Sequence, residues 1–433
     1  MNYIVSKKFR KILNDLKRRP EDAAKDLKLS LRSVNKILNG TKDLNYKIID
    51  KAVSVWPVNH SDFFFTQDDT MNNIKVCKKK FSDKTARKMY RDNIPYYLYK
   101  DTVMSKVSTF RPEWIQQLLT VQDSDPNNIR VKFNNGHFLH QFTYFIGPVN
   151  FYYIDENDKK NMLEMNTGDS MYISPYTPHS FTTRKNKNNL KGLILALTYT
   201  DKIDSDVLNE LNSIGKDLSK DFKINLSDKS SSIKNIISNF LSISSMTSQY
   251  LEKKIQFKID TAVKEFTLAK VDKLSKIADV LNVNLRDLIP LNNYHDVKTT
   301  KYSDANFWFL PSETSKELKI VELATVNHLP NSKALEINIL KKNFFSFKVP
   351  SHQYIYNIGK KPCVINFSGN LQTLEPGDSC YVKPNLRHFF ATKGKLLILR
   401  IGGKISSENL LHFSLLNEKK LNRLLDDNKS WFN

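Results

Sequence analysis

One eight-residue string occurs twice in this chain, and the repeat limits the fold more than any other feature. Gly168-Asp169-Ser170-Met171-Tyr172-Ile173-Ser174-Pro175 aligns without a gap on Gly377-Asp378-Ser379-Cys380-Tyr381-Val382-Lys383-Pro384. The match extends to both sides. His179-Ser180-Phe181 falls on His388-Phe389-Phe390; upstream, His140-Gln141 and Tyr144-Phe145-Ile146-Gly147 fall on His352-Gln353 and Tyr356-Asn357-Ile358-Gly359. A chain of 433 residues is too long for one compact core. Identities at matched spacing therefore imply one structural plan used twice.

The surrounding patterns define that plan. Phe9, Ile12, Leu13 and Leu16 recur at helical spacing. Pro20 to Leu27 reads as a second helix with acidic residues in its first turn, and Ser30 to Gly40 as a third, opened by a serine cap and closed by glycine. The last two resemble a helix-turn-helix, and Lys273 to Ile289 resembles the end of another. Between and after these helical stretches, alternating aromatic-rich strands are broken by Gly, Pro and Asn. The expected fold is α+β, a helix-turn-helix-like module followed by a small barrel, twice. The expected boundaries are 1–100 (helical), 101–203 (barrel), 204–295 (helical) and 296–433 (second barrel and a helical tail).

A formal net charge of +22 favours anionic partners such as nucleic acid, an acidic surface or a phosphorylated or phosphonylated substrate, although a lysine-rich composition alone produces the same balance. Three cysteines that lack CxxC spacing and cannot all pair argue against a disulfide framework or a cysteine zinc site, which fits a reducing cytoplasm. The first residues, Met1 to Lys8, lack the apolar core expected of a signal peptide, and the apolar runs are strand-length. A soluble cytoplasmic protein is expected.

The chemistry concentrates around the first copy of the repeat. If Gly136 to Gln141 is a strand, His137, Leu139 and Gln141 face one way and Phe138 and His140 the other. The segment from Gly168 to His179 resembles the second motif of the cupin superfamily, where a histidine after a proline points into the barrel. By that resemblance His137, Gln141 and His179 form a metal site. His140 competes with His137, but its counterpart His352 suggests a shared structural role. In the second copy Val349 replaces His137, so that barrel keeps Gln353 and His388 and is expected to be metal-free. Imidazole and amide oxygen without thiolate suit Fe(II), Mn(II), Ni(II) or Zn(II).

With these residues assembled, nearly the whole chain resembles the phosphonate-processing non-haem iron enzymes of the hydroxyethylphosphonate dioxygenase type. That resemblance implies Fe(II) as cofactor and 2-hydroxyethylphosphonate and O₂ as substrates; a homo-oligomer is expected as well. The dioxygenase branch has a glutamate six residues before the last histidine; here Ile173 holds that place and Gln141 stands as third ligand, as in the methylphosphonate-forming branch. The implied reaction is oxidative C–C cleavage giving methylphosphonate and carbon dioxide or bicarbonate, with Gln141 and Ile173 influencing the product. The alternative products are hydroxymethylphosphonate and formate. The family's phosphonate-binding residues match Arg91, Tyr99, Asn134 (with Asn135 one step away) and, from the helical module, Lys17. Helix-turn-helix plus cupin is also the plan of transcription regulators. Duplication with decay of one metal site fits an enzyme better, so nucleic acid is not the expected partner.

Overall fold

The computed structural model describes residues 2–431 except 109, 201–202, 227, 265–270, 292–295, 343–344, 406–407 and 427–428. It is a mixed α+β chain with several antiparallel sheets. Four N-terminal helices, Asn2–Asp15, Pro20–Leu27, Leu31–Leu38 and Tyr46–Val55, close around Phe9, Leu27, Val34, Ile37, Ala52 and Trp56. Their starts are set by side-chain caps: Ser30 Oγ accepts from Ser33 N at 3.2 Å, and Asn45 Oδ1 from Ile48 N at 3.0 Å. A second helical group, including Lys229–Ile243, Ser248–Ile255 and Val271–Leu281, packs around Ile233, Leu251, Leu274 and Ile277.

The strands form two copies of one arrangement. The first seven-stranded sheet runs Val297–Thr300, Ser170–Ile173, His140–Ile146, Leu193–Tyr199, Arg111–Gln117, Ile94–Asp101, Arg87–Arg91. The second runs Ile74–Cys77, Ser379–Val382, His352–Asn357, Gly394–Ile401, Lys333–Ile339, Leu318–Glu322, Phe307–Leu310. One face of each covers a smaller sheet: Phe145, Ile173, Ile194 and Phe181 fill the first interior, and Ile355, Val382, Ile398 and Phe390 the second. The opposite faces pack on each other through Phe142, Tyr144, Tyr172 and Leu197 against Tyr354, Tyr356, Tyr381 and Leu399. Strand alternation produces this division, because neighbours along one strand serve different cores.

The edge strands are exchanged. Ile74–Cys77, which follows the first helical group, pairs with Ser379–Val382 of the second sheet; Val297–Thr300, which follows the second group, pairs with Ser170–Ile173 of the first. The repeated Gly-Asp explains how each crossing is held. Asp169 Oδ1 accepts from Tyr302 N at 2.9 Å and its Oδ2 lies 3.2 Å from Lys301 Nζ; Asp378 Oδ1 accepts from Lys79 N and Oδ2 from Lys78 Nζ, both at 2.8 Å. Gly168 and Gly377, with φ of +95° and +87°, turn the chain there, and a Cβ on either would strike the Tyr302 ring or the Lys79 side chain. The expected boundary at 100 therefore cuts a strand of the first sheet, and that at 295 precedes a strand that also belongs to the first sheet. Hydrophobic spacing within a strand carries no mark of which sheet it will join.

Candidate metal centre

The inward row of the strand His140–Ile146 carries Gln141 and Thr143 before the apolar Phe145. His137 is not on a strand: the strand begins at His140, and His137 sits in the preceding loop. Alternation therefore does not aim this side chain, and the expectation that it did is corrected. The loop is fixed instead by Tyr176 N donating to His137 O at 2.7 Å. Gly136, at φ +72°, runs so close to the Tyr176 backbone that a side chain there would collide with it.

The neighbouring hydrogen bonds select one tautomer and one amide orientation. His137 Nδ1 lies 2.8 Å from the Leu139 carbonyl, so Nδ1–H donates and Nε2 carries a lone pair. Gln141, nearly fully buried, donates from Nε2 to Thr143 Oγ1 at 2.9 Å, so its Oε1 is turned inward. Oε1 and His137 Nε2 face each other at 3.0 Å. With His137 in its Nδ1–H tautomer both atoms are acceptors, and a cation shared between them would satisfy both. Adjacent ligand atoms each ~2.1 Å from an octahedral ion stand about 3.0 Å apart. His179 completes the set. Its Nδ1 donates to the Thr177 carbonyl at 2.8 Å, and its ring lies 5.2 Å from that of His137. Burial first, then the nearby His137 and Arg91, pushes His179 down to about 3, so it stays neutral and able to ligate. The donor set suits a divalent transition metal such as iron. Among the described residues no three His, Cys, Asp or Glu side chains converge on one point, so a three-ligand site here needs a donor of another kind, and Gln141 Oε1 lies 3.0 Å from His137 Nε2.

Other expected residues divide in two. Ile173 is fully buried and is the direct cross-strand partner of Gln141. Asn134 Oδ1 accepts from His179 N at 2.8 Å and from Gly136 N at 3.1 Å, while its Nδ2 lies 3.1 Å from His179 Nε2. Arg91 donates to Ser180 Oγ at 3.3 Å and to the Lys132 carbonyl, with its guanidinium over Tyr96 and Tyr97. Tyr99 lies edge-on to Tyr97, its phenol pushed up to about 12 by burial first and Glu113 second. Lys17 is not brought to this place. It is exposed, donates to Asn14 O at 3.1 Å and stands 4.7 Å from the Trp431 ring. His140 turns to the other face and pairs through Nδ1 with Tyr172 OH at 2.7 Å; His352 does the same with Tyr381 OH, also at 2.7 Å. Sequence reasoning missed Thr143, Thr177 and Ser180, which orient the set; only the i, i+2 spacing of Gln141 and Thr143 signalled any of them.

The chain is 42% identical over 434 residues to methylphosphonate synthase of Nitrosopumilus maritimus strain SCM1, covering 98% of this chain and 94% of that protein. The chain belongs to the methylphosphonate synthase family. The hydroxyethylphosphonate dioxygenase of Streptomyces albus, solved with 2-hydroxyethylphosphonate and Fe(II), superposes with a TM-score of 0.92 at 29% identity over 99% of this chain and 98% of the other. A 102-residue stretch is 30% identical to (S)-2-hydroxypropylphosphonic acid epoxidase of Streptomyces wedmorensis, which is 23% of this chain and 48% of that enzyme. No family model matches. This methylphosphonate synthase relative is thus a non-haem iron oxygenase homologue with the dioxygenase's fold.

Proposed function

We propose that the protein cleaves the C–C bond of 2-hydroxyethylphosphonate with O₂ and Fe(II), giving methylphosphonate and carbon dioxide. The observation that carries the proposal is the approach of His137 Nε2 and Gln141 Oε1 to 3.0 Å, the spacing of adjacent ligand atoms around an octahedral ion. In this reading His137, Gln141 and His179 hold the iron inside a cupin-like barrel, the second barrel is a decayed copy, and the helical groups are helix-turn-helix-like modules. Fe(II), when bound, supplies the one-electron chemistry that O₂ needs to attack a C–H bond. Atoms balance: one substrate and one O₂ become methylphosphonate, CO₂ and water, so no co-reductant is required.

The residues of the chain do the rest. Three neutral ligands leave the ion's charge uncompensated, and a phosphonate dianion offsets it. Arg91 supplies a fixed cation for that dianion, and Tyr99 a phenol that remains protonated and can donate. Asn134 Nδ2 now occupies the His179 lone pair that a metal takes; metal binding frees this amide to donate to the phosphonate while Oδ1 keeps it anchored. Ile173 presents an apolar wall beside Gln141 where a carboxylate would add charge. Lys17 is left out of this set. The three cysteines are free, which fits a reducing cytoplasm, and no described helix is long and apolar enough to cross a membrane. The test is anaerobic loading with Fe(II), addition of 2-hydroxyethylphosphonate and O₂, and phosphorus NMR. A methylphosphonate signal supports the reading, hydroxymethylphosphonate transfers it to the dioxygenase reaction, and unchanged substrate ends it.

A further inference from the structure

The second unit keeps the backbone arrangement of the candidate metal centre with different side chains. Two pairs of backbone contacts fix the correspondence. Tyr176 N donates to His137 O as Asn385 N donates to Val349 O, each at 2.7 Å; Asn134 N donates to His179 O at 3.1 Å as Phe347 N does to His388 O at 2.8 Å. Val349 therefore stands where His137 does, and Phe347 where Asn134 does. Register supplies a third exchange: Thr198 lies opposite Gln141, and Arg400 opposite Gln353. One imidazole has been lost, and a guanidinium has arrived.

Arg400 belongs to the inward-facing row of its strand with Leu396 and Ile398. Its Nε donates to Gln353 Oε1 at 3.2 Å, and its guanidinium lies 5.6 Å from the Phe347 ring centre. Burial lowers it to about 10, and no carboxylate acts to restore it. Gln353 and His388 are fully buried. His388 Nδ1 is 3.1 Å from the Leu386 carbonyl, which leaves the lone pair on Nε2, and the ring stacks on Phe347 at 5.6 Å. Arg400 Nη2, Gln353 Nε2 and His388 Nε2 are each buried without a hydrogen-bond partner among the described residues. Such atoms are rare and costly, and an unpaired buried cation more so. The unused inventory is two donors beside a positive charge, and one acceptor.

We propose that the second unit binds a small planar monoanion carrying one hydroxyl, of the hydrogencarbonate class, at Arg400, Gln353 and His388. The oxyanion edge accepts from Arg400 Nη2 and Gln353 Nε2, and the hydroxyl donates to His388 Nε2. Loss of the metal-ligating histidine and gain of the arginine invert the site, from three lone pairs around a cation to a built-in cation that recruits an anion. Occupancy here does not depend on iron in the first unit.

Calorimetric titration of hydrogencarbonate into the full chain tests this, with Fe(II) loaded anaerobically, 2-hydroxyethylphosphonate saturating, and chloride and phosphate absent. One saturable site is expected, retained in His137→Ala, with formate weaker because it has no proton for His388. Arg400→Gln should weaken binding about tenfold or more, and Arg400→Lys, which keeps the charge and the fold, by less. A site lost in His137→Ala lies on the first-unit metal and overturns the assignment. So does the absence of saturable heat, which leaves only water at these atoms, or equal affinity in wild type and a folded Arg400→Gln.

Discussion

Replacing Thr143 by valine isolates the orientation of the Gln141 amide. The side chains are nearly the same shape, and Thr143 is fully buried, so packing changes little while one hydroxyl is lost. That hydroxyl accepts from Gln141 Nε2 at 2.9 Å and is what turns Oε1 toward His137 Nε2. Without it a buried N–H is left unpaired, at a cost of about 1–3 kcal/mol, or the amide rotates and offers N–H to the metal position. Either way the metal pays, and loss of an outer partner of this kind weakens binding roughly 10- to 100-fold. Fe(II) affinity is measured anaerobically by competition with a chromophoric chelator. Thr143→Val should fall by that factor and Thr143→Ser should recover most of it, while the melting temperature of the metal-free Thr143→Ser protein stays near wild type. Wild-type affinity in Thr143→Val would refute the claim that the hydroxyl sets the amide.

Four further outcomes follow from other contacts. Ile173→Glu places a carboxylate beside Gln141 in a dry interior; the metal-free protein should lose stability in urea, Fe(II) should restore part of it, and phosphorus NMR should show a shift toward hydroxymethylphosphonate. An unchanged product ratio in an iron-loaded variant counts against a role for Ile173 in the branch. Tyr144→Phe removes one of the donors to Glu336, a fully buried carboxylate that also accepts from Tyr302 OH at 2.7 Å, and should cost about 1.5–3 kcal/mol of stability without altering Fe(II) affinity. His352 is pushed from 6.5 down to about 4 by burial, so below pH 6.5 the unfolded chain takes up a proton that the folded one refuses. Its contribution is full above 6.5 and lost as pH falls toward 4, at most about 3 kcal/mol, read as a drop in urea midpoint across that window; a flat profile there contradicts it. Lys17→Ala should leave Fe(II) affinity unchanged, since the lysine pairs with Asn14 and Trp431 rather than with the metal centre.

The repeat made much of this legible. Gly-Asp, His-Gln and the later histidine mark positions where a turn, a strand start and an inward ring are each set by local chemistry, so their spacing survives translation into three dimensions. His140 and His352 could be set aside as ligands because both copies keep them, and both do pair with a tyrosine between the two large sheets. Long-range pairing was not legible. Ile74–Cys77 and Val297–Thr300 look like ordinary short strands, and nothing local states that each crosses to the other unit. The place of Lys17 was not legible for a related reason: a cation in a Lys-Arg-Arg run has no periodic partner to fix where its flexible stem goes, or whether it serves the site of its own chain or that of a second copy.

The two halves also constrain each other as an internal comparison. Gln141 and Gln353 are the second residues of equivalent strands, yet Gln141 gives its N–H to Thr143 and aims oxygen at an imidazole, whereas Gln353 gives its oxygen to Arg400 and keeps an N–H unpaired among the described residues. The same amide is thus used in opposite senses. In the proposed reading, what decides the sense is the sign of the charge facing the amide: an ion's in the first unit and the Arg400 guanidinium's in the second. It follows that Thr198→Arg in the first unit, opposite Gln141 as Arg400 is opposite Gln353, should abolish Fe(II) binding while leaving the fold intact. A folded Thr198→Arg protein that still binds iron at wild-type affinity would show that the guanidinium is not what displaced the metal from the second copy.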